Sequence, residues 1–117
     1  MLADLEIDVR ERVVIARLTG EVDLSNVDQL RAAITEATPN HALALILDLS
    51  GVDYLDSSGI QLIYRLREDL RSRGQVLRLV IPSHSPAHSA LRIAGVANHV
   101  ETVESVEEGL SGLDDAG

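Results

Sequence analysis

Hydrophobic residues along this chain recur at two different spacings, and the alternation between them predicts the order of its secondary structure. Spacing of two residues, or a short continuous apolar run, predicts strands in five segments: 5–9, 13–20, 42–49, 76–81 and near 99–103. The polar pair Glu11-Arg12 between the first two strands predicts a β-hairpin, which Gly20 ends. The third segment, "ALALILDL", is typical of a strand buried on both faces of a sheet.

Spacing of three and four residues predicts four helices between and after these strands. The first is expected to start at Ser25, because Asp28 three positions later resembles a capping box, and to stop at Pro39. The other predicted boundaries are Ser57 and Gly74 for the second helix, Ser85 with Pro86 and then Gly95 for the third, and 105–113 for the last.

Strands that alternate with helices indicate an α/β fold, with parallel pairing wherever a helix crosses between strands. The predicted order is β-β-α-β-α-β-α-β-α, and the opening hairpin adds an antiparallel pair. We therefore expect a mixed central sheet of about five strands with about four helices. All of residues 1–117 are expected to form one domain, with a tail that frays from about residue 111.

The net charge of the chain restricts the classes of partner that it is expected to bind. The formal net charge of -9 argues against nucleic-acid binding and against docking on an anionic membrane, because both surfaces are negative. A basic protein partner is favoured instead. The charged N-terminal segment does not resemble a signal peptide, and no apolar run approaches the ~20 residues that span a bilayer. With no cysteine in the sequence, a cytoplasmic protein without disulfides is expected.

The stretch "DYLDSSGI" (53–60) lies between the third strand and the second helix and carries the candidate chemistry. Asp56 and Ser57 are residue types that cap helix N-termini. A cap alone does not explain Gly59, since glycine in a helix costs ~1 kcal/mol relative to alanine. Close approach by another backbone or by a partner would explain it.

Metal-binding patterns are weak in this sequence. The acids Asp48, Asp53 and Asp56 lack the alternate-residue spacing of a calcium loop and are better explained as solvated side chains. His84 and His88 are four residues apart, but polar residues at a helix start explain them better than metal ligands do. We therefore expect no metal site.

Catalytic patterns are equally weak. Neither Ser57 nor Ser58 lies in the G-x-S-x-G of a nucleophile elbow, and the chain has no glycine-rich phosphate loop. The sequence thus predicts no catalytic residues, no cofactor and no enzyme. A small hydrolase that uses one of these serines with a triad completed elsewhere is the alternative from another functional class.

A modification switch fits the same stretch better. Loops at the carboxyl ends of neighbouring strands meet at one edge of an open α/β sheet, so "GEVDLS" is expected to place Asp23 near Asp56 and Ser57. A phosphate on the serine would add roughly -1.5 to -2 charge. The N-terminus of the helix would accommodate the phosphate. The surrounding acids would add to its negative charge and so disrupt the binding of any partner there.

Three segments resemble the STAS-domain anti-sigma factor antagonists of bacteria: "LTGEVDLSN", "LILDLSGVDYLDSSGIQLI" and "SPAHSALRIAGV". The resemblance covers nearly the whole chain, and "LDLSGVDYLDSSG" is its most specific part. One departure follows the serines, where the family often has Gly-Leu-Gly and this chain has Gly59-Ile60-Gln61.

The resemblance implies a phosphorylation cycle. The first serine of D-S-S-G, Ser57 here, is the phosphoacceptor. The unphosphorylated protein binds an anti-sigma factor that is itself a serine kinase with its own ATP, and the sigma factor is released for transcription. Phosphorylation ends binding, and a PP2C-type phosphatase resets the switch. The implied partner-binding residues are Asp23, Ser25, Asp56, Ser57, Ser58, Gly59 and Ile60.

A second role within the same family stays open from the sequence. The chain could be a STAS subunit of another assembly, such as a lipid-transport or stress-signalling complex. In such an assembly Ser57 need not be phosphorylated.

Overall fold

A mixed five-stranded sheet lies at the centre of the molecule, in a computed structural model that describes residues 3–113. The strands lie side by side in chain order, with β1 antiparallel to β2 and the other three pairs parallel. The predicted hairpin and mixed sheet are therefore confirmed. The strand bounds are β1 Asp4–Arg10, β2 Val13–Val22, β3 Ala44–Leu55, β4 Val76–Val80 and β5 Glu101–Val103.

Four α-helices connect and cover these strands, as the sequence predicted. Their bounds are α1 Val27–Ala37, α2 Ser57–Arg71, α3 Pro86–Ile93 and α4 Val106–Leu110, and a 3-10 turn spans Val96–Asn98. Ser85 occupies the predicted N-cap position of α3, although its hydroxyl donates to Pro82 O rather than capping the helix. The last helix ends three residues earlier than expected.

The sheet buries apolar side chains on both faces, because successive residues of a strand point to opposite sides. Helices α1, α2 and α3 pack on one face over a large aliphatic cluster that includes Leu45, Leu47 and Leu79. On the other face α4 covers a smaller cluster that includes Ile15 and Ile46. The wholly apolar run in β3 is thus buried on both sides, as its sequence indicated.

Two strands continue well past their predicted ends. β2 passes through Gly20 to Val22, and β3 continues beyond Leu49 to Leu55, where the two strands still pair. Two register shifts in β2, at Arg17/Thr19 and Gly20/Glu21, allow this pairing to continue through polar residues that read as a loop. The ends of β2 and β3 therefore lie side by side at the start of α2.

The start of α1 also differs from the prediction. Its N-cap position is held by Asn26, and the helix begins at Val27. Ser25 does not cap it, because the Ser25 hydroxyl and N–H both donate to Asp23 Oδ1 instead. The capping box expected from Ser25 and Asp28 was wrong.

The extent of the domain remains a prediction. Residues 114–117, which form most of the tail expected to fray, lie outside the described residues. Leu113, just before them, is buried in the cluster beneath α4.

Candidate functional site

Two loops meet at the carboxyl edge of the sheet, one after β2 and one after β3. Because Val22 pairs with Leu55, the next residues, Asp23 and Asp56, leave the sheet beside each other. The Asp56 N–H donates to Val22 O at 3.3 Å, which ties the second loop to the first. The proximity expected for Asp23 and Asp56 is present, and both line one shallow depression with Leu24 and Ser25.

Asp56 is the N-cap of α2. Its Oδ1 accepts hydrogen bonds from the N–H of Ser58 at 2.9 Å and of Gly59 at 3.2 Å. These N–H groups belong to the first turn of the helix, where no backbone acceptor is available. The next residue, Ser57, is the first residue of the helix, and the cap fixes its backbone.

Ser57 is exposed on this fixed backbone. Within residues 3–113 its hydroxyl has no hydrogen-bond partner. Ser58 is half-buried, so its hydroxyl is less accessible than that of Ser57. The geometry therefore leaves the Ser57 hydroxyl free to react with an incoming group.

The loop that carries Asp23 is held by a buried residue that the sequence did not single out. Asn26 is only 4% exposed. Its Nδ2 donates to Glu21 O at 2.8 Å, and its Oδ1 accepts from the Asp23 N–H at 3.1 Å. An asparagine between a strand and a helix start was the available signal, but capping explained it equally well.

The charge on Asp23 is stabilised locally. The Ser25 hydroxyl, and to a lesser degree the Ser25 N–H, donate to its carboxylate and lower the pKa of Asp23 below its ordinary value of 3.8. Asp23 is therefore negative at neutral pH. With Asp56 beside it, the edge of the site around Ser57 is acidic.

The remaining two residues expected at the partner surface are less accessible. Gly59 is buried, and a Cβ there would lie 2.7 Å from Leu55 Cγ and 3.2 Å from Val22 Cγ1. The close approach that explains this glycine is thus by side chains of the protein's own strands. Ile60 is half-buried and packs against the larger core cluster.

A groove between α1 and α2 adjoins Ser58 and was not predicted from the sequence. We call it the α1–α2 groove, and it is lined by Leu24, Val27, Asp28, Arg31, Ser58, Gln61, Leu62 and Arg65. Apart from Leu24, which lies in the loop before α1, its residues come from two helices that are far apart in the chain, so no local sequence pattern predicts it.

No three His, Asp or Glu side chains between residues 3 and 113 cluster in a way that could hold a metal ion. No helix in the same range is long and apolar enough to cross a membrane.

Comparison with known proteins gives the family. A profile of the STAS domain matches residues 4–109, which is nearly the whole chain. The chain belongs to the STAS domain family. The α/β fold, the five-stranded mixed sheet and the N-terminal hairpin of this STAS domain are those predicted from the hydrophobic pattern of the sequence.

Relatives of this STAS domain carry regulatory names. An anti-sigma F factor antagonist of Lysinibacillus sphaericus is 44% identical over 66 residues, which is 55% of this chain and 56% of that protein. The anti-sigma-F factor antagonist RsfB of Mycobacterium tuberculosis is 26% identical over 102 residues, covering 86% of this chain and 81% of RsfB.

Solved structures that are similar to this chain carry related names. The anti-sigma factor antagonist SpoIIAA in its unphosphorylated form superposes with a TM-score of 0.71 at 25% identity, covering 98% of this chain and 97% of SpoIIAA. SpoIIAA of Bacillus in its phosphorylated form superposes with a TM-score of 0.64 at 25% identity, covering 99% of this chain and 100% of SpoIIAA.

Proposed function

We propose that this STAS domain is an anti-sigma factor antagonist switched by phosphorylation on Ser57. In its unphosphorylated form it binds an anti-sigma factor that is a serine kinase, and the sigma factor is released for transcription. The observation that carries the proposal is the exposed Ser57 hydroxyl at the capped start of α2. The antagonist names of its relatives support the same role.

In this cycle the catalytic residues belong to the partner proteins. The kinase supplies ATP and transfers its terminal phosphoryl group to the Ser57 hydroxyl, and a PP2C-type phosphatase removes it by hydrolysis. This chain supplies the acceptor and the docking surface, so the proposal gives it no catalytic residue and no cofactor. The cytoplasm, where sigma factors act on transcription, is the proposed compartment.

Electrostatics explains how the phosphate would end binding. A phosphate adds roughly -1.5 to -2 charge, and it would lie beside Asp56 and close to Asp23, whose pKa is lowered by the hydrogen bonds from Ser25. A partner that approaches this edge would have to desolvate three neighbouring negative groups. The fold itself would tolerate the modification, because the positive end of the α2 dipole favours an anion.

The test of the proposal is phosphoryl transfer. The purified chain is incubated with each serine-kinase anti-sigma factor of its source organism and ATP, and its intact mass is measured. We expect a gain of one phosphoryl group on the wild type and on Ser58→Ala, and none on Ser57→Ala. The Ser58 variant is the matched control, since it removes the neighbouring hydroxyl.

Two results would contradict the proposal. Labelling of Ser57→Ala with no labelling of Ser58→Ala would move the acceptor to the second serine. A wild-type chain that neither binds nor accepts phosphate from any of these kinases would remove the antagonist role and leave the chain as a STAS subunit of another assembly.

A further inference from the structure

The loop beside Ser57 ends in an exposed apolar side chain. Leu24, which directly follows Asp23, is 77% exposed. It lines the acidic depression with Asp56 on one side and the α1–α2 groove on the other. At this exposure the Leu24 side chain is available to a partner that covers both surfaces.

The α1–α2 groove differs in charge from the acidic depression. Arg31 and Arg65 line it together with a single acid, Asp28, in a chain whose net charge is -9. Arg31 is already neutralised, because its guanidinium makes a two-bonded ion pair with Asp69 at 3.0 and 3.1 Å. Across residues 3–113, exposed Arg65 has neither an ion pair nor a hydrogen bond. Arg65 is thus the cation in this groove that a partner could pair.

We infer that the α1–α2 groove is part of the surface that docks the anti-sigma factor, where Leu24 contacts an apolar side chain and Arg65 pairs with a carboxylate of that partner. The inference rests on the proposed function. It follows from the continuity of the groove with Ser58 and from charge complementarity. The partner segment would therefore place basic residues against Asp23 and Asp56 and an acidic residue against Arg65.

The groove also contains the residue at which this chain departs from the family pattern. Gln61 is exposed on α2 and lines the groove between Ser58 and Arg65. A small residue there would leave this wall open, whereas the glutamine amide narrows it and offers a donor and an acceptor. Binding of the partner would thus depend on residues outside the D-S-S-G motif as well.

Two pairs of variants test the inference. Arg65→Glu reverses the charge in the groove, and Arg71→Glu makes the same change at an exposed arginine of α2 outside it. Leu24→Ala removes the apolar side chain, and Ile93→Ala does the same at a residue of α3 that is 87% exposed. The dissociation constant for the anti-sigma kinase that phosphorylates the wild type is measured by titration calorimetry at low and high salt.

We expect Arg65→Glu and Leu24→Ala each to weaken binding roughly tenfold or more, while their matched controls stay within about twofold of the wild type. The loss from Arg65→Glu should shrink as salt rises, since salt screens the ion pair. Equal effects of a variant and its control would overturn the inference while the antagonist role stands. Failure of the wild type to bind any kinase would overturn the proposed function and the inference with it.

Discussion

Asp56 has two roles at a single position. Its carboxylate satisfies the N–H groups of Ser58 and Gly59 at the start of α2, and its charge lies next to Ser57. The first role stabilises the helix, because those N–H groups would otherwise be unpaired and because an anion is favoured at a helix N-terminus. The second role gives the docking edge its acidic character.

Removing this cap should destabilise the protein measurably. We expect Asp56→Ala to lower the free energy of unfolding by about 1 kcal/mol. Asp56→Asn is the matched control, since its side-chain oxygen can still accept both hydrogen bonds, and it should lose much less. Urea denaturation of the three proteins at neutral pH measures the difference, and equal stabilities of Asp56→Ala and wild type would show that the cap contributes nothing.

At the scale of elements, the site depends on how closely α2 approaches the ends of β2 and β3. The approach is made through Gly59, whose missing side chain leaves room for Leu55 and Val22. Leu55 is itself buried, so its branch point cannot move away freely. The position of Ser57 at the sheet edge is therefore set by packing two residues further along, in the same turn of the helix.

This packing predicts the effect of enlarging the glycine. In an isolated helix Gly59→Ala would gain ~1 kcal/mol from helix propensity. Here the new Cβ would lie 2.7 Å from Leu55 Cγ and 2.9 Å from Leu55 Cδ1, and overpacking of that kind costs about 1–3 kcal/mol. We expect a net loss of stability in urea denaturation.

A double-mutant cycle identifies the cause of that loss. When Leu55→Ala has already removed the obstructing side chain, Gly59→Ala should cost less or become stabilising. A Gly59→Ala variant that is more stable than the wild type would contradict the packing explanation.

For the molecule as a whole, the proposed switch is separate from what holds the fold together. The sheet and its two aliphatic clusters lie below the carboxyl edge, and Ser57 is exposed above them with no hydrogen bond from its hydroxyl to the described residues. A change at Ser57 should therefore alter binding without altering the core.

A phosphate mimic should show this separation. We expect Ser57→Asp to weaken binding of the anti-sigma kinase roughly tenfold or more, because it adds a third acid beside Asp56 and Asp23. Its free energy of unfolding should stay within about 0.5 kcal/mol of the wild type. Ser57→Ala should bind without being switched off. Normal binding by Ser57→Asp in a calorimetric titration would count against a charge-based switch.

Most of the order of elements could be predicted because the signals are local. Periodicity placed the hairpin, the buried strand and the helices, and the capping residues placed the start of α2 at Ser57. Strand ends could not be placed in this way. The polar residues from Ser50 to Tyr54 read as a loop, yet they extend β3 because β2 lies alongside them and pairs with them.

By itself, the sequence determined the family, the strand and helix order, and the capped serine at the start of α2. These depend on residue types at short spacing, which act through local backbone preference. The sequence also predicted that Asp23 lies near Asp56, whereas the tertiary structure alone decided that Gly59 admits Leu55 and that Leu24 and Arg65 share a groove. Those contacts depend on strand register and on which helix faces meet, and both are set by packing between segments far apart in the chain.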